Sequence, residues 1–518
     1  MKKIYFTIAI FMGLQTVTEA QYSTASVNGN NIDASVNNGG VFFNDAAQSN
    51  SGYEYPKNSG NHLIYANSFW FLAGDTINDY QLAGQQYGLG DDLFPGALTT
   101  NGAAVLPNGM NPSKLIHQVS KSEIDDHISN YSTPGYTTPS SIADWPAHGE
   151  VNIGLDYYLA PFVDVNDNGV YDPKMGDYPK IRGDFATYMI LNDKADVHQS
   201  AGSPLGIECH FMFYQYKSTD FLNNTTFVNI KVINRSTKDF PEFKVACFVD
   251  PDIGDSQDDF AGCDTTSSVM YAYNATNNDN EYGNNPPAVG VVNLNQSMNV
   301  FGYFGNYSNP TQMWEPNFVD DYYFNMKGCW KDAMQFTEGG NGYGGTTITK
   351  YLYSGNPNNA GEWSEVDEGS IPGERKIFMT TNQSLNAGEE LCLDYAFVVG
   401  DGDDNLQNVN NLLTAATDAQ SFYNDQENFV CENYEETLRN EKHKIISANV
   451  YPNPSSGKIT IDFKGNYDIN IHSLDGRKVF EKINVNGLET IFTTIESGSY
   501  ILSIIQNGEN HTKPIVIK

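Results

Sequence analysis

The sequence predicts a mainly β protein: an antiparallel β-sandwich in the central region, with long loops and one late helix, followed by a small C-terminal Ig-like β-sandwich. Composition is one reason, because 40% of the residues are hydrophobic, 13% are aromatic and 46 are glycine, a mixture that favours strands joined by turns. The other reason is that apolar and polar residues alternate at period 2 in several segments. At 518 residues the chain is long enough for two to four domains.

The first twenty residues are typical of a secretory signal peptide. Lys2 and Lys3 precede an apolar run, Ile4 to Leu14, which is too short to span a bilayer. Ala20 suits cleavage before Gln21. No later segment approaches the ~18 continuous apolar residues of a membrane helix, so we expect no transmembrane segment.

The charge of the chain is strongly acidic and unevenly placed. The formal net charge is −34, yet residues 448–518 hold seven basic and seven acidic residues. The acidic excess therefore lies in the central region. Without a basic stripe to neutralise phosphates, nucleic acid is not an expected partner, whereas an acidic surface attracts divalent cations.

The central region contains the clearest strand patterns and one helix pattern. The three successive segments 207–217, 225–236 and 242–250 are expected to form one layer of an antiparallel sandwich. Further strands are predicted at 62–74, 375–381 and 391–400, whereas 75–150 is dominated by turn signals. Helical spacing, with Asp403 or Asp404 as the cap, is shown by Leu406, Val409, Leu412, Leu413, Ala416 and Ala419.

These patterns divide the chain into five parts. We expect a signal peptide at 1–20, an N-terminal β and irregular region at 21–200, a β-sandwich region at 201–430, a charged linker at 431–447 and a tail domain at 448–518. The tail should hold six or seven short strands, because Asp-Gly or Asn-Gly pairs at 475–476, 486–487 and 507–508 are favoured hairpin turns.

Six cysteines are scattered without C-x-x-C spacing, which argues against zinc ribbons and thioredoxin-like chemistry. An exported protein can form disulfides, and Cys247–Cys263 is the most local pairing. Cys209, Cys247 and Cys392 lie in apolar strand patterns, where a buried free thiol is the simpler interpretation.

Three blocks of the tail carry a family resemblance. They read "VYPNPSSGKITI" (450–461), "IHSLDGRKVF" (471–480) and "SGSYILSII" (497–505). In this order they closely resemble the C-terminal sorting domain of the Bacteroidetes type IX secretion system. The resemblance implies that the secretion machinery is a partner of residues 448–518, and that the mature protein is secreted or held at the outer-membrane surface.

Residues 50–430 also resemble large exported surface proteins of the same phylum, whose activity is not established. The blocks that carry this likeness include "YEYPKNSGNHLIYANSFWFLAG", "DVNDNGVYDPKMGDYPKIRGD" and "FVDPDIGDSQDDFAGCD". This resemblance implies kinship and provides no catalytic residue.

The stretch "DVNDNGVYDPKMGD" (164–177) begins like a calcium loop. It follows D-x-[DN]-x-[DN]-G for six positions, but Met175 stands where an EF-hand needs a bidentate Glu, and no helix pattern flanks it. We therefore predict a structural calcium site in a β protein, the alternative being a cluster of Asx turns. Its predicted ligands are Asp164, Asn166, Asn168, Val170 through its carbonyl, Asp172 and Asp177.

A second acidic segment, "DPDIGDSQDDFAGCD" (250–264), leaves the end of a predicted strand. A second calcium site at Asp250, Asp252 and Asp255 is one interpretation, because clustered carboxylates repel unless a cation or protons intervene. An exposed acidic loop is another. A catalytic carboxylate pair, as in glycoside hydrolysis, is the third.

The chain lacks the sequence signatures of nucleophilic and metal-dependent catalysis, since G-x-S-x-G, H-E-x-x-H and the P-loop are all absent. We therefore assign no catalytic residue. The expected function is an exported, calcium-stiffened binding or structural protein that recognises an extracellular ligand, either glycan or protein. The alternative is a secreted hydrolase of polysaccharide or protein that uses carboxylates in 250–264.

Overall fold

A computed structural model of the chain describes residues 22–45, 50–74, 80–85, 87, 91–105, 115–305, 310–426, 449–473, 477–492, 495–506 and 509–518. The chain divides into two compact units, Met1–Cys431 and Glu432–Lys518. The predicted mainly β fold is confirmed. The signal peptide predicted at 1–20 and the linker predicted at 431–447 lie outside the described residues.

The described strands of the large unit are, in chain order, β1 (Thr24–Val27), β2 (Asp33–Asn37), β3 (Asn44–Asp45), β4 (Asn50–Ser51), β5 (Tyr53–Glu54), β6 (His62–Ala73), β7 (Gln81–Gly84), β8 (Phe94–Pro95), β9 (Ile116–Ser120), β10 (Phe162–Val163), β11 (Tyr178–Pro179), β12 (Phe185–Asn192), β13 (Ile207–Gln215), β14 (Thr225–Asn234), β15 (Phe240–Pro251), β16 (Asp259–Asp264), β17 (Val269–Asn274), β18 (Asn278–Asp279), β19 (Gly283–Asn284), β20 (Ala288–Asn293), β21 (Val300–Phe304), β22 (Lys376–Leu385) and β23 (Glu390–Gly400). Its described α-helices are α1 (Lys121–Asn130), α2 (Ser140–Ala143), α3 (Val319–Asn325) and α4 (Asn405–Asp425).

Two antiparallel sheets form the core of this unit. The first has the order β1-β2-β5-β6-β15-β22-β21, with β7 paired to β6. The second has the order β16-β17-β20-β23-β14-β13-β12-β8, with β9 paired to β12. Aromatic rings of the two layers pack together. The ring centroid of Phe69 in the first sheet lies 5.8 Å from that of Phe211 and 5.4 Å from that of Tyr395, both in the second sheet. This is a sandwich core.

The structure differs from the sequence prediction in which strands share a sheet and in where the chain divides. The segments 207–217 and 225–236 form neighbouring strands, β13 and β14, but β15 crosses to the other sheet. The boundary predicted at residue 200 does not divide the structure, because strands from both sides of it share both sheets. Alternation shows which face of a strand is buried, and it does not show which sheet the strand joins.

The predicted helix is α4, and Asp404 is its cap, since the Asp404 carboxylate accepts hydrogen bonds from the N–H groups of Leu406 (3.0 Å) and Gln407 (3.3 Å). The helix packs on β23, β20 and β17 of the second sheet. Gly400 permits this close approach, because a Cβ there would lie 2.1 Å from the Asn408 carbonyl oxygen.

The region 75–150, in which turn signals predominate, also holds a helix that hydrophobic spacing did not reveal. α1 begins at a capping box, in which the N3 backbone N–H donates to the Ser120 hydroxyl and the N-cap N–H donates to the Glu123 carboxylate. Caps are local signals, so Ser120 and Glu123 could have marked this helix from the sequence.

The tail unit is one antiparallel sheet of β24 (Asn449–Tyr451), β25 (Lys458–Ser473), β26 (Lys478–Phe492), β27 (Gly498–Gln506) and β28 (Glu509–Ile517). Its described strands number five instead of the predicted six or seven, because β25 and β26 are long and irregular, with register shifts along their pairing. The predicted turn at Asn486-Gly487 lies inside β26. The strands enclose their own apolar core in a half-barrel or sandwich-like arrangement.

The cysteines differ from the sequence expectation at one position. Cys209 and Cys247 are buried free thiols as expected, and Cys263 is also free. Cys247 and Cys263 belong to different sheets, so their closeness in sequence does not pair them. Cys392 is disulfide-bonded, and it lies at the partly exposed start of β23.

Candidate functional site

The predicted calcium loop joins a small hairpin. β10 and β11 pair antiparallel, with Val163 opposite Tyr178, so the loop 164–177 starts and ends at the same place. Gly169 adopts a φ of +74° and Gly176 a φ of +110°, which are conformations that side chains with a Cβ rarely adopt. The loop therefore folds back on itself as the sequence pattern predicts.

Its first and last carboxylates close the loop through backbone hydrogen bonds. Asp164 accepts from the N–H groups of Gly169 (2.6 Å) and Asn166 (3.2 Å). Asp177 accepts from the N–H groups of Val165 (2.9 Å) and Asp172 (2.8 Å). Asp177 is fully buried, and this burial is the main cause that raises the pKa of its carboxyl group.

The two asparagines lie between these carboxylates. The side-chain amides of Asn166 and Asn168 point their nitrogens at the Asp172 carboxylate, at 3.4 and 3.3 Å. Their carbonyl oxygens accept the N–H groups of Asn168 (3.1 Å) and Val170 (2.7 Å). These are Asx turns, and they place the predicted ligand side chains along one short loop.

No group of three or more histidine, cysteine, aspartate or glutamate side chains converges closely enough to hold a metal within the described ranges. A cation at the loop would therefore need the amide oxygens of Asn166 and Asn168, and the Val170 carbonyl, beside the carboxylates. Calcium takes six to eight oxygen ligands and accepts such a mixture. Met175, at the EF-hand glutamate position, is 56% exposed and provides no ligand.

The carboxylates of the acidic segment 250–264 have several different hydrogen-bond partners. Asp255 accepts a short hydrogen bond from the side chain of Asn280, and its N–H donates to the buried Asp279 carboxylate at 2.9 Å. Asp258 accepts from the Asn274 side chain at 2.7 Å. These residues build turns around Asp279, and the described contacts give Asp255 different partners from Asp250.

Asp250 lies at the end of β15, where the pairing of the first sheet brings it beside Lys376. Val249 is opposite Ile377, and Phe304 is opposite Lys376. The Tyr87 hydroxyl donates to Asp250, whose Oδ2 lies 3.8 Å from the Lys376 Nζ. The other oxygen of Asp250, Oδ1, is buried and has no hydrogen-bond partner among the described residues.

Burial also changes how readily Asp250 and Asp252 lose their protons. It raises the pKa of Asp250 to about 7 and that of Asp252 to about 8, and the nearby charge of Asp250 adds to the shift of Asp252. Lys376 opposes both shifts without cancelling them. A carboxyl group that keeps its proton near neutral pH can act as a general acid.

A pocket of about 260 Å³ is lined by Lys376, Glu315 and Glu374. The Lys376 Nζ lies 3.0 Å from Glu315 Oε2 and 3.3 Å from Glu374 Oε1. The remaining walls are contributed by Phe304, Gly305, Trp314 and Asn317. The pocket therefore combines an aromatic wall with a dense set of hydrogen-bond acceptors.

Sequence reasoning found Asp250 and Asp252 but missed their neighbours. Glu315, Glu374 and Lys376 lie more than sixty residues further along the chain, and no local spacing connects them to Asp250. Only strand pairing brings them together. The charged run "GERK" (373–376), which overlaps the start of the predicted strand at 375–381, was the sole local signal.

The two histidines nearest the acidic segments have structural contacts. His198 is buried, and its ring nitrogens lie 2.8 Å from the Leu82 carbonyl and 2.5 Å from the Asp193 carbonyl. His210 is also buried, between Glu208 (2.8 Å) and the Tyr188 hydroxyl (2.6 Å). Neither ring faces the Lys376 pocket.

The tail matches a known family, described as a secretion system C-terminal sorting domain, over residues 449–518. This match supports a cargo protein of the type IX secretion system that is exported to the cell surface or secreted, and it implies contact with that machinery. Among the described helices, none has the length and apolar character needed to cross a membrane.

Three solved structures show a distant likeness. A candidate kojibiose phosphorylase from the human microbiome is 7% identical, with 49% of this chain and 22% of that chain covered and a TM-score of 0.23. A polysaccharide lyase is 8% identical, with 69% and 38% covered and a TM-score of 0.19. A candidate aldose 1-epimerase from Escherichia coli K12 is 8% identical, with 74% and 100% covered and a TM-score of 0.26.

The chain spans less than two fifths of the first two of these proteins. At these scores the likeness establishes neither a shared fold nor a shared activity. No curated protein matches the sequence.

Proposed function

We propose that this cargo protein is an extracellular binding or structural protein whose β-sandwich is stiffened by calcium at the loop 164–177. The observation that carries the proposal is the closed loop, in which carboxylate and amide oxygens recur between two paired strands. Its kinship with the large exported surface proteins of Bacteroidetes belongs to the same proposal. The ligand is glycan or protein.

Calcium would act here as a structural ligand. Asp164, Asp172 and Asp177 would supply the charge, while Asn166, Asn168 and the Val170 carbonyl would complete the oxygen set. A cation between them would remove the repulsion among three carboxylates that share one short loop. The hairpin formed by β10 and β11 would then be held more rigidly against unfolding.

Adding calcium to the full mature chain is expected to raise its melting temperature. A ligand that binds only the native state at 100 times its Kd contributes about 2.7 kcal/mol, which is a shift of a few degrees for a unit of this size. Tryptophan fluorescence is the appropriate signal, because all five tryptophans precede residue 431. The comparison is between excess calcium and excess chelator.

An Asp164→Ala variant should lose this calcium-dependent shift. Asp167→Asn is the matched control, since Asp167 is an exposed residue of the same loop and asparagine tolerates its φ of +55°; it should keep the shift. A melting temperature that is the same in calcium and in chelator would rule out the calcium site.

The second candidate function is a secreted hydrolase, and one observation favours it. The Asp250 carboxylate lies 3.8 Å from the ammonium of Lys376, which lines a pocket. The raised pKa values of Asp250 and Asp252, about 7 and about 8, keep protons available at neutral pH. A protonated carboxyl group next to an ionised one is the arrangement that glycoside hydrolysis requires.

If the hydrolase candidate is right, the full mature chain will release reducing ends from at least one member of a polysaccharide panel. The rate should fall above about pH 8, where Asp252 loses its proton. Asp252→Asn should reduce the rate by roughly 100-fold or more, whereas Asp264→Asn, a turn residue elsewhere in the same segment, should not. If no member of the panel is hydrolysed, the hydrolase candidate is ruled out and the proposed binding function stands.

A further inference from the structure

A second pocket lies on the outer face of the second sheet. Met189 of β12 belongs to the core of the sandwich, so its neighbours Tyr188 and Ile190 face away from that core. Both side chains are nevertheless buried, because the segment 145–159 covers them, and the Tyr188 hydroxyl lies 3.3 Å from the Leu159 carbonyl oxygen. Between the sheet and this cover lies a cavity of about 150 Å³, which we name the His117 pocket.

The floor of the His117 pocket is buried and apolar. It is formed by Gly96, Ala97, Leu155, Leu159, Tyr188 and Ile190. The Tyr188 hydroxyl already has a partner, since it lies 2.6 Å from Nδ1 of the buried His210. The side chains of this floor, all of them within the described residues, therefore offer a ligand hydrophobic contact and no free hydrogen-bonding group.

The wall that leads from the floor to solvent is partly exposed and carries the polar groups. It includes His117, Pro146, His148 and Glu150. Both ring nitrogens of His148 are occupied, because Nδ1 donates to the Tyr157 carbonyl oxygen at 3.0 Å and Nε2 accepts the N–H of Tyr171 at 2.8 Å. Tyr171 belongs to the loop 164–177, so this wall is attached to the proposed calcium site.

His117 provides an acceptor for a ligand. It lies opposite Tyr188 in the pairing of β9 with β12, which places its ring on the face that lines the pocket. Burial lowers the pKa of His117 to about 4, although the charge and the carbonyl group of Asp144 oppose this shift, so the ring is neutral at pH 7. A neutral imidazole has one N–H and one acceptor nitrogen. Because the N–H donates to the Asp144 carbonyl, the other nitrogen is the acceptor.

The size and the polarity of the pocket select its occupant. A cavity of roughly 150 Å³ holds one benzene molecule, so the pocket takes a single six-membered ring. A sugar ring would bring several hydroxyl groups to a floor that cannot pair them, and a charged ring would lose its hydration there without compensation. The ring that fits is therefore uncharged and aromatic, with one donor that reaches His117.

We propose that the His117 pocket binds a phenol ring, with the ring on the apolar floor and its hydroxyl group donating to the acceptor nitrogen of His117. This inference rests on the proposed binding function and names the chemical group that is bound. A tyrosine side chain of a protein ligand and a free phenol share this chemistry.

Ligand-observed NMR titration of the full mature chain tests the inference with p-cresol, toluene, D-glucose and N-acetyl-L-tyrosine amide. p-Cresol and toluene differ only in the hydroxyl group, so p-cresol should bind about 5-fold more tightly if that group makes one net hydrogen bond. Glucose should not displace p-cresol. The tyrosine amide identifies the source of the ring: an affinity equal to that of p-cresol assigns a tyrosine of a protein ligand, and a weaker affinity assigns a free phenol.

Variants of the pocket provide the sharper test. His117→Phe should lower the affinity for p-cresol about 5-fold without lowering that for toluene, a pattern that general loss of structure would not produce. His62→Phe replaces a half-buried histidine of β6 in the first sheet, so it is the matched control and should change neither affinity. Ala97→Leu fills the floor and should abolish binding of both probes. If Ala97→Leu does not fold, as judged by tryptophan fluorescence, Ile190→Phe replaces it.

Three results would overturn the inference. Equal affinities for p-cresol and toluene would remove the role of His117. Unchanged p-cresol binding in a folded Ala97→Leu or Ile190→Phe variant would place the ring elsewhere. Displacement of p-cresol by glucose would replace the phenol with a sugar.

Each titration is carried out in calcium and in chelator, which separates this inference from the calcium proposal. Binding of p-cresol by a chain whose melting temperature does not respond to calcium would mean that the calcium proposal alone fails. Absence of p-cresol binding by a chain that does respond to calcium would mean that the phenol inference alone fails.

Discussion

A chain that lacks residues 449–518 will be retained in the periplasm, and the surface and medium fractions of its native host will lose it almost completely. The reason is that these residues form a separate unit with its own core and match the secretion system sorting domain. A unit of this kind can be recognised by the export machinery as an independent module. Immunoblotting of periplasmic, surface and medium fractions measures the effect.

A reporter fusion completes the test of the tail. Residues 449–518 attached to a reporter that carries an inner-membrane signal should direct that reporter out of the cell, because the module folds around its own core. Normal surface or medium localisation of the shortened chain would refute the role of the tail, whatever the fusion does.

Loss of the buried ion pair between Arg375 and Glu365 is expected to destabilise the large unit by about 3–5 kcal/mol, because one charge is then left buried without a partner. The two residues are 4% and 1% exposed. Arg375 donates from Nε to Glu365 Oε1 at 3.0 Å and from Nη2 to Oε2 at 2.7 Å. Glu365 also accepts the N–H of Ala261 at 2.8 Å, which ties this segment to β16.

Urea unfolding of the full mature chain, followed by tryptophan fluorescence, measures this loss for Arg375→Met. The double variant Glu365→Gln/Arg375→Met should recover part of it, since no unpaired charge remains. The matched control is Lys121→Met, which breaks an exposed pair with Asp125 and should cost far less, because water screens the two charges. Equal losses at the two sites would contradict the role of burial.

This ion pair also bears on the Lys376 pocket. Glu374 and Lys376 flank Arg375 in the sequence, and the guanidinium holds this corner through the carbonyl oxygens of Ile371 (2.8 Å) and Glu374 (3.1 Å).

Sequence patterns predicted the elements whose structure depends on contacts between residues close together in the chain. The strand β6 and the helix α4 were found because alternation and helical spacing record which side of each element is buried. The cap was predicted at Asp403 or Asp404, and the structure places it at Asp404, whose carboxylate accepts from N–H groups two and three residues away. The loop 164–177 was found for the same reason, since its hydrogen bonds connect residues within one turn.

Assignments that depend on distant partners were not predictable in this way. β15 looks like its neighbours β13 and β14 but belongs to the other sheet. The turns predicted at 475–476 and 507–508 lie outside the described residues. The tail strand β26 runs through the turn predicted at Asn486-Gly487, because an Asn-Gly pair can also occupy an irregularity within a ladder. Both outcomes depend on which strand lies alongside, and the sequence of one segment does not contain that information.

The sequence by itself determined that the protein is mainly β, that its tail belongs to an export system and that one loop is rich in oxygen ligands. These properties follow from composition, short motifs and contacts within a few residues. Only the tertiary structure decided that Lys376, Glu315 and Glu374 meet Asp250 at one corner of the first sheet. That meeting depends on the pairing of β15, β22 and β21, and strand pairing over such separations is set by the packing of the whole sandwich.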